Sequence, residues 1–317
     1  MDPYPITNAA DISSVLTDVP QSTKNAIIDA LTQNGLLTGD TTVNIRVIDT
    51  PTDRLQINAN VDKVVVLGPG SATQINSNRP VVVSATSGDN YLDTSHYGAN
   101  RKYDRANTVI GGSGSDTIVG NTARSSLVAG AGSQFLLSGG GRDTIQGGSG
   151  DNTLVGGGKS SIVAGSGSSD ITAGQTARAK DTIAAGTGAS TISLSAGNNV
   201  VFGPTGGGSA TITAGSGSDT ISGPAANDGS ATINGGANTT FNIGTGSVTF
   251  NAEAGSKDTV FGGPSSGFLN LSQSLAGATI TQTTVDGQAG RTFTFAGGGQ
   301  VTIVGNVNTT FNDTRKS

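Results

Sequence analysis

The chain contains no cysteine, which removes both a disulfide framework and a thiolate metal site from consideration. Tryptophan is also absent, methionine and histidine occur once each, and aromatic residues make up 4% of 317 positions. An ordinary layered core needs more bulk than that. No apolar run approaches the length that spans a bilayer, so no membrane insertion is expected. The opening Met1-Asp2-Pro3-Tyr4-Pro5 has neither the basic nor the apolar region of a cleaved secretory signal. Charged residues are 12% of the chain, with a formal net charge of −5 and lysine and arginine scattered, which argues against a nucleic-acid groove. Clustered His and Cys ligands, a nucleophile elbow and a phosphate loop joined to a strand and a helix are all missing. The expectation is that the protein is not an enzyme.

What the chain has in quantity is glycine, 50 residues, arranged in a repeat from Asn107 to Gly262. Two plain copies are Gly111-Gly112-Ser113-Gly114-Ser115-Asp116-Thr117-Ile118 and Gly147-Gly148-Ser149-Gly150-Asp151-Asn152-Thr153-Leu154. One large apolar residue returns in each copy, at Val109, Ile118, Leu127, Leu136, Ile145 and Leu154 in steps of nine, and onward to Phe241, Phe250 and Val260. Longer steps, such as Ile171 to Ile183, place their extra residues in polar or Gly-rich loops. A short period with insertions confined to loops is the signature of a solenoid, in which each coil buries only one or two aliphatic side chains against its neighbours. The fold class predicted is all-β, a parallel β-roll or β-solenoid, with a small N-terminal helical segment and C-terminal capping strands.

Four regions follow. Residues 1–40 read as a helical cap or assembly segment. Asp11 or Ser13 is placed to cap a short helix through Leu16, and Ser22-Thr23 precede a second helix with an Ala26, Ile27, Ile28, Ala30 and Leu31 stripe. Asn34-Gly35 supplies a stop, and Leu36 is placed to fold back on the helix. Such a pair is too small to stand alone and should dock on the open end of the solenoid. Residues 41–106 read as irregular early coils, with Val43, Ile45 and Val47 alternating and Val64-Val65-Val66-Leu67 and Val81-Val82-Val83 as apolar runs. Within them, Ser87 to Arg105 reads as an inserted loop holding Tyr91, Asp93, His96, Tyr97, Arg101 and Tyr103, a candidate ligand-binding or acid–base group. Residues 107–262 are the repeat. Residues 263–317 read as strands around Phe268–Leu271, Ala278–Thr281, Phe293–Phe295 and Val301–Val304, which should close the far end and protect its edge.

The run Gly-Gly-x-Gly-x-Asp-x-hydrophobic-x resembles the RTX family, the haemolysin-type calcium-binding nonapeptide repeats. The block Phe293-Thr294-Phe295-Ala296-Gly297-Gly298-Gly299-Gln300-Val301-Thr302-Ile303 is similar to the hairpin that often follows such repeats. The resemblance implies six-residue turns that hold calcium through Asp carboxylates and backbone carbonyls, three-residue strands with an inward hydrophobic residue, and export by type I secretion to the cell surface or exterior.

In a two-sided roll, turns eighteen residues apart stack and share each calcium. The Asp positions then form two columns. One reads Asn107, Ser125, Asp143, Ser160, Asp181, Asn199, Asp219, Thr239, Asp258, and the other Asp116, Gln134, Asn152, Ser169, Ser190, Ala210, Ala231, Val248. No two successive turns in a column carry Asp. Calcium takes six to eight oxygens with carboxylate charge among them, so Asp116, Asp143, Asp181, Asp219 and Asp258 are candidate metal ligands in incomplete sites. They serve equally as caps for turn amides. A shift of register would bring in Asp151, Asp170 or Asp228 instead.

These observations point to an extracellular structural β-solenoid whose partner is itself, in a surface layer, matrix or filament, with weak or partial Ca2+ binding. An adhesin or polysaccharide-binding module centred on Tyr91 to Arg105 is the alternative. A polysaccharide lyase or epimerase is a third reading.

Overall fold

The computed structural model describes residues 4–17, 19, 21–33, 36–37, 42–50, 54–57, 62–70, 72–77, 81–95, 107–263 and 267–311. The chain forms two compact units, residues 1–161 and 162–317. Each is a stretch of parallel β-solenoid, and two short helices are the only α-helices among the described residues.

In the first unit, successive strands alternate between two sheets. One sheet runs Val43–Ile48, Asp62–Leu67, Val82–Ala85, Thr108–Ile110, Ser126–Val128 and Thr144–Gln146, all parallel. The other runs Arg54–Ile57, Ala72–Ser77, Tyr91–Asp93, Thr117–Val119, Phe135–Leu137 and Asn152–Val155. The register stacks like on like: Val109 on Leu127 on Ile145, and Ile118 on Leu136 on Leu154. All six are fully buried, because a side-chain period of two sends only the central residue of a three-residue strand inward. The turns stack as closely as the strands. A Cβ on Gly130 would overlap the Gly112 carbonyl, and one on Gly132 would overlap the Gly114 carbonyl, so glycine is there to let turn backbone lie on turn backbone.

The N-terminal helices form, with different bounds and a different seat. The first, α1, is Ala9–Val15, and its cap is Asn8, not Asp11 or Ser13. Asn8 Oδ1 accepts from Ala10 N at 2.9 Å and Asp11 N at 3.2 Å, while Asp11 Oδ2 accepts back from Asn8 N at 3.2 Å. This is a reciprocal capping box. The second, α2, is Gln21–Gln33 and starts before Ser22. Asn34-Gly35 lie outside the described residues, and Leu36 N donates to Leu31 O at 2.9 Å, which turns Leu36 back toward the helix as expected.

The pair docks on the outer face of a sheet, not on the open end of the coils. Ile12, Leu16, Ile27 and Leu31 pack with Val64, Val66, Val82 and Ile110 in one buried cluster. That seat explains the run Val64-Val65-Val66-Leu67: a strand buried on both faces has no polar alternation. The edge of the first coil is covered separately, by Tyr4–Ile6 pairing antiparallel with Val43–Ile48.

In the second unit, one sheet runs Thr182–Ala184, Val200–Phe202, Ser216–Ser222, Asn238–Asn242, Lys257–Phe261 and Gln300–Val304. The other runs Ser169–Ala173, Ala189–Leu194, Ser209–Thr213, Ser230–Asn234, Ser247–Asn251, Phe268–Leu271 and Asn308–Phe311. Between the sheets Phe241 and Phe250 stack with ring centroids 5.9 Å apart, replacing an aliphatic pair with a wider one.

The C-terminal strands form where expected and cover the edge of the coil before them, yet they leave an open edge of their own. Thr279–Val285 and Gln288–Thr294 make a hairpin through Asp286-Gly287, whose φ values of 50° and 79° are those of a tight two-residue turn. Gln288–Thr294 then pairs antiparallel with Gln300–Val304. The outer strand Thr279–Val285 is paired on one side only among the described residues, and most of it is exposed.

Candidate metal centre

The five candidate aspartates all point into the roll. Asp116, Asp143, Asp181 and Asp258 are 1% exposed and Asp219 is 2%, whereas Asp151, Asp170 and Asp228 are exposed. The register therefore stands as the two columns have it. Each Asp sits two residues before the inward hydrophobic residue, so the pleat returns it to the interior at the point where strand becomes turn.

That position has a specific need. The carbonyl of the column residue is taken by the next coil: Phe135 N donates to Asp116 O at 2.8 Å, and Thr144 N donates to Ser125 O at 2.9 Å. At five of these positions the N–H is supplied with an acceptor by a side chain one coil further on. Asn90 N donates to Asp116 Oδ1 at 3.0 Å, Ser125 N to Asp143 Oδ1 at 2.7 Å, Asp181 N to Asn199 Oδ1 at 3.1 Å, Asn199 N to Asp219 Oδ1 at 2.9 Å, and Thr239 N to Asp258 Oδ1 at 2.9 Å. A buried N–H without an acceptor costs about 1–3 kcal/mol, and Asp or Asn reaches it where Ala cannot. Capping of amides, one of the two roles open from sequence, is thus what these side chains do in the structure.

The second carboxylate oxygens differ. Asp116 Oδ2 accepts from Gly112 N at 2.7 Å, Asp181 Oδ2 from Gly174 N at 2.8 Å, and Asp258 Oδ2 from Ser256 Oγ at 2.8 Å. Asp143 Oδ2 is buried with no hydrogen-bond partner, as is Ser138 Oγ at the start of the same turn. Burial pushes the Asp143 carboxyl above its ordinary value, against the opposing pull of the Ser125 N–H, the Ser138 hydroxyl and the Gly141 and Gly140 N–H groups, the last three close to the carboxylate but not in well-formed hydrogen bonds. Burial also raises Asp258, opposed first by the Ser256 hydroxyl and then by the Thr239 N–H.

Asn90 was hidden from the column by spacing. It lies twenty-six residues before Asp116, not eighteen, because an insertion separates the two coils, yet Leu92 pairs with Ile118 in register. Ser87-Gly88-Asp89-Asn90-Tyr91-Leu92 has the pattern of a repeat copy, and that is the signal that identifies it. The same finding corrects the inserted loop. Tyr91 and Asp93 belong to a strand of the roll: Tyr91 is exposed, and Asp93 is buried with Oδ1 accepting from Ser95 N at 2.8 Å. His96, Tyr97, Arg101 and Tyr103 lie outside the described residues.

A family model for the RTX calcium-binding nonapeptide repeat matches in four copies, at residues 103–133, 128–163, 178–203 and 204–238. Neither the curated proteins nor the solved structures compared with the chain give a match. Residues 103–238 thus carry RTX repeats, and these are calcium-binding motifs. The donor set can be tested against that cation. No group of three or more His, Cys, Asp or Glu residues is placed to hold a metal among the described residues. The Asp143 turn fits best, since a buried carboxylate oxygen and the buried Ser138 hydroxyl near it make no well-formed hydrogen bond and calcium is a hard cation that gathers oxygens. The Asp116 and Asp219 turns fit poorly on the side that faces Asn90 and Asn199, because side-chain amide nitrogens already occupy the carboxylates there.

Proposed function

Taking the RTX repeats of residues 103–238 as the premise, we propose that the chain is a non-catalytic structural β-solenoid that acts outside the cell and assembles with copies of itself into filaments, sheets or a matrix, with calcium binding that is partial. The observation that carries this reading is the outer strand Thr279–Val285. It is seven residues long and exposed, one edge is unpaired among the described residues, and its sequence Thr-Ile-Thr-Gln-Thr-Thr-Val has no charge, proline or glycine. Natural proteins blunt such edges with charges, prolines or bulges. An edge left flat and rich in β-branched residues invites another chain to continue the sheet.

Secretion is supported by the repeat type, which is typical of secreted proteins. No helix among the described residues is long and apolar enough to cross a membrane. Electron microscopy of the purified chain, with calcium and with chelator, tests the assembly. Ordered fibres or sheets are expected, and Ile280→Lys combined with Gln282→Lys should reduce them to dispersed particles. Dispersed monomers of the unaltered chain in both conditions would remove the reading.

A further inference from the structure

In two places a side-chain nitrogen stands among oxygens that a calcium ion would otherwise collect. Asn199 Nδ2 donates to Ala196 O at 3.0 Å and to Asp219 Oδ1 at 3.0 Å. Asn90 Nδ2 donates to Ser87 O at 3.2 Å, to Gly88 O at 2.8 Å and to Asp116 Oδ1 at 2.7 Å. In both cases the acceptors are carbonyls of the amide's own turn together with the carboxylate of the turn stacked on it. That is a turn-plus-carboxylate oxygen set of the kind a hard cation prefers. Here an N–H2 group, with positive partial charge and two hydrogens, holds it instead.

The arrangement is closed to the metal for a geometric reason. Both asparagines are nearly fully buried, at 3% and 1% exposure, and their backbone N–H groups donate to the same carboxylate oxygen as the side chain does. A cation at that oxygen would face two N–H groups and repel both. We propose that the side-chain amides of Asn90 and Asn199 replace the cation at the Asn90–Asp116 and Asn199–Asp219 rungs, so that these rungs hold without calcium, and that aspartate at either position makes its rung calcium-dependent. Asn→Asp changes the shape little. It turns the donating nitrogen into a charged oxygen and leaves two buried carboxylates face to face, a pair that needs a proton or a cation between them.

This inference is independent of assembly. Its test is hydrogen exchange, read by mass spectrometry, on the full chain in calcium and in excess chelator. In the unaltered chain, residues 196–220 should exchange at the same rate in both. In Asn199→Asp the same residues should lose protection roughly tenfold or more in chelator and regain it in calcium, and calorimetry should count one additional calcium per chain. Asn90→Asp should do the same for residues 87–95 and 107–116. Protection at residues 196–220 of the unaltered chain that depends on calcium would overturn the proposal, and that measurement decides even if a variant fails to fold. An Asn199→Asp chain that folds in chelator and gains no calcium would overturn it too.

Discussion

Ser125 donates its backbone N–H to Asp143 Oδ1 at 2.7 Å across one coil, while Oδ2 of the same carboxylate has no hydrogen-bond partner. One oxygen of this side chain stabilises the stack; the other is buried without a well-formed hydrogen bond, and the nearby Ser138 hydroxyl and Gly141 and Gly140 N–H groups offset the cost of burying its charge only in part. Asp143→Asn keeps the acceptor for Ser125 and removes the charge, so in chelator it should stabilise the fold by about 1 kcal/mol, the scale on which an unsatisfied buried polar group is felt. In calcium the variant should melt no higher than in chelator, whereas the unaltered chain should gain. Thermal denaturation in both conditions checks this, and a variant that melts lower than the parent in chelator would contradict it.

The pH dependence has a definite sign. Burial raises the Asp143 and Asp258 carboxyls above their ordinary value of 3.8, so over that window the folded chain binds protons that the unfolded chain has released. Stability from these two groups is fully present below 3.8 and is lost as pH rises through their folded values. Without calcium, the stability difference between the parent and an Asp143→Asn, Asp258→Asn double variant should widen with rising pH through that range and then level off. Chemical denaturation at a series of pH values measures it.

Gly130→Ala should be far worse than Gly297→Ala. The first puts a methyl group into the Gly112 carbonyl, while nothing lies within 4 Å of the Cβ at the second. Overpacking that backbone must absorb costs roughly 1–3 kcal/mol or more, whereas a surface change free of contacts stays within about 0.5 kcal/mol. Equal melting of the two variants would show that the turns do not stack as described.

Phe250 carries more than an aliphatic rung because its ring stacks on Phe241 at 5.9 Å. Phe250→Ala should destabilise the second unit by about 3–5 kcal/mol. Hydrogen exchange should show the loss first in Ser230–Asn234 and Ser247–Asn251, the strands that flank the cavity.

Ile27 is fully buried between α2 and the outer sheet face. Ile27→Asp should release the helices and expose the patch that includes Val64, Val66, Val82 and Ile110. Binding of a hydrophobic dye and proteolysis near the N-terminus should both rise, with the repeat strands still protected.

The roll was legible because one residue in nine has no alternative to burial: Ile118, Leu136 and Leu154 are all inward and in register. The columns of Asp positions were legible for the same reason, since a fixed spacing from the ladder sets their face. Hydrogen-bond direction was not legible. That Asp143 serves Ser125 depends on how successive turns lie over each other, which spacing does not specify. Asn90 escaped because an insertion broke the count between two coils that nonetheless pair. The seat of the helices was written in Val64-Val65-Val66-Leu67, where four apolar residues in a row mean two covered faces, but the run does not say what covers the second.

At the column amides the side-chain caps run one way along the chain: Asp116 serves Asn90, Asp143 serves Ser125, Asn199 serves Asp181, Asp219 serves Asn199, and Asp258 serves Thr239. The giver is the later residue at each of these five amides, while at neighbouring turn positions Asp89 and Asn198 accept from the later Ser115 N and Ser218 N. During synthesis a coil therefore leaves the ribosome before the group that completes it has been made, and the newest coil is unfinished until its successor arrives. The column amides thus give the roll a direction of completion.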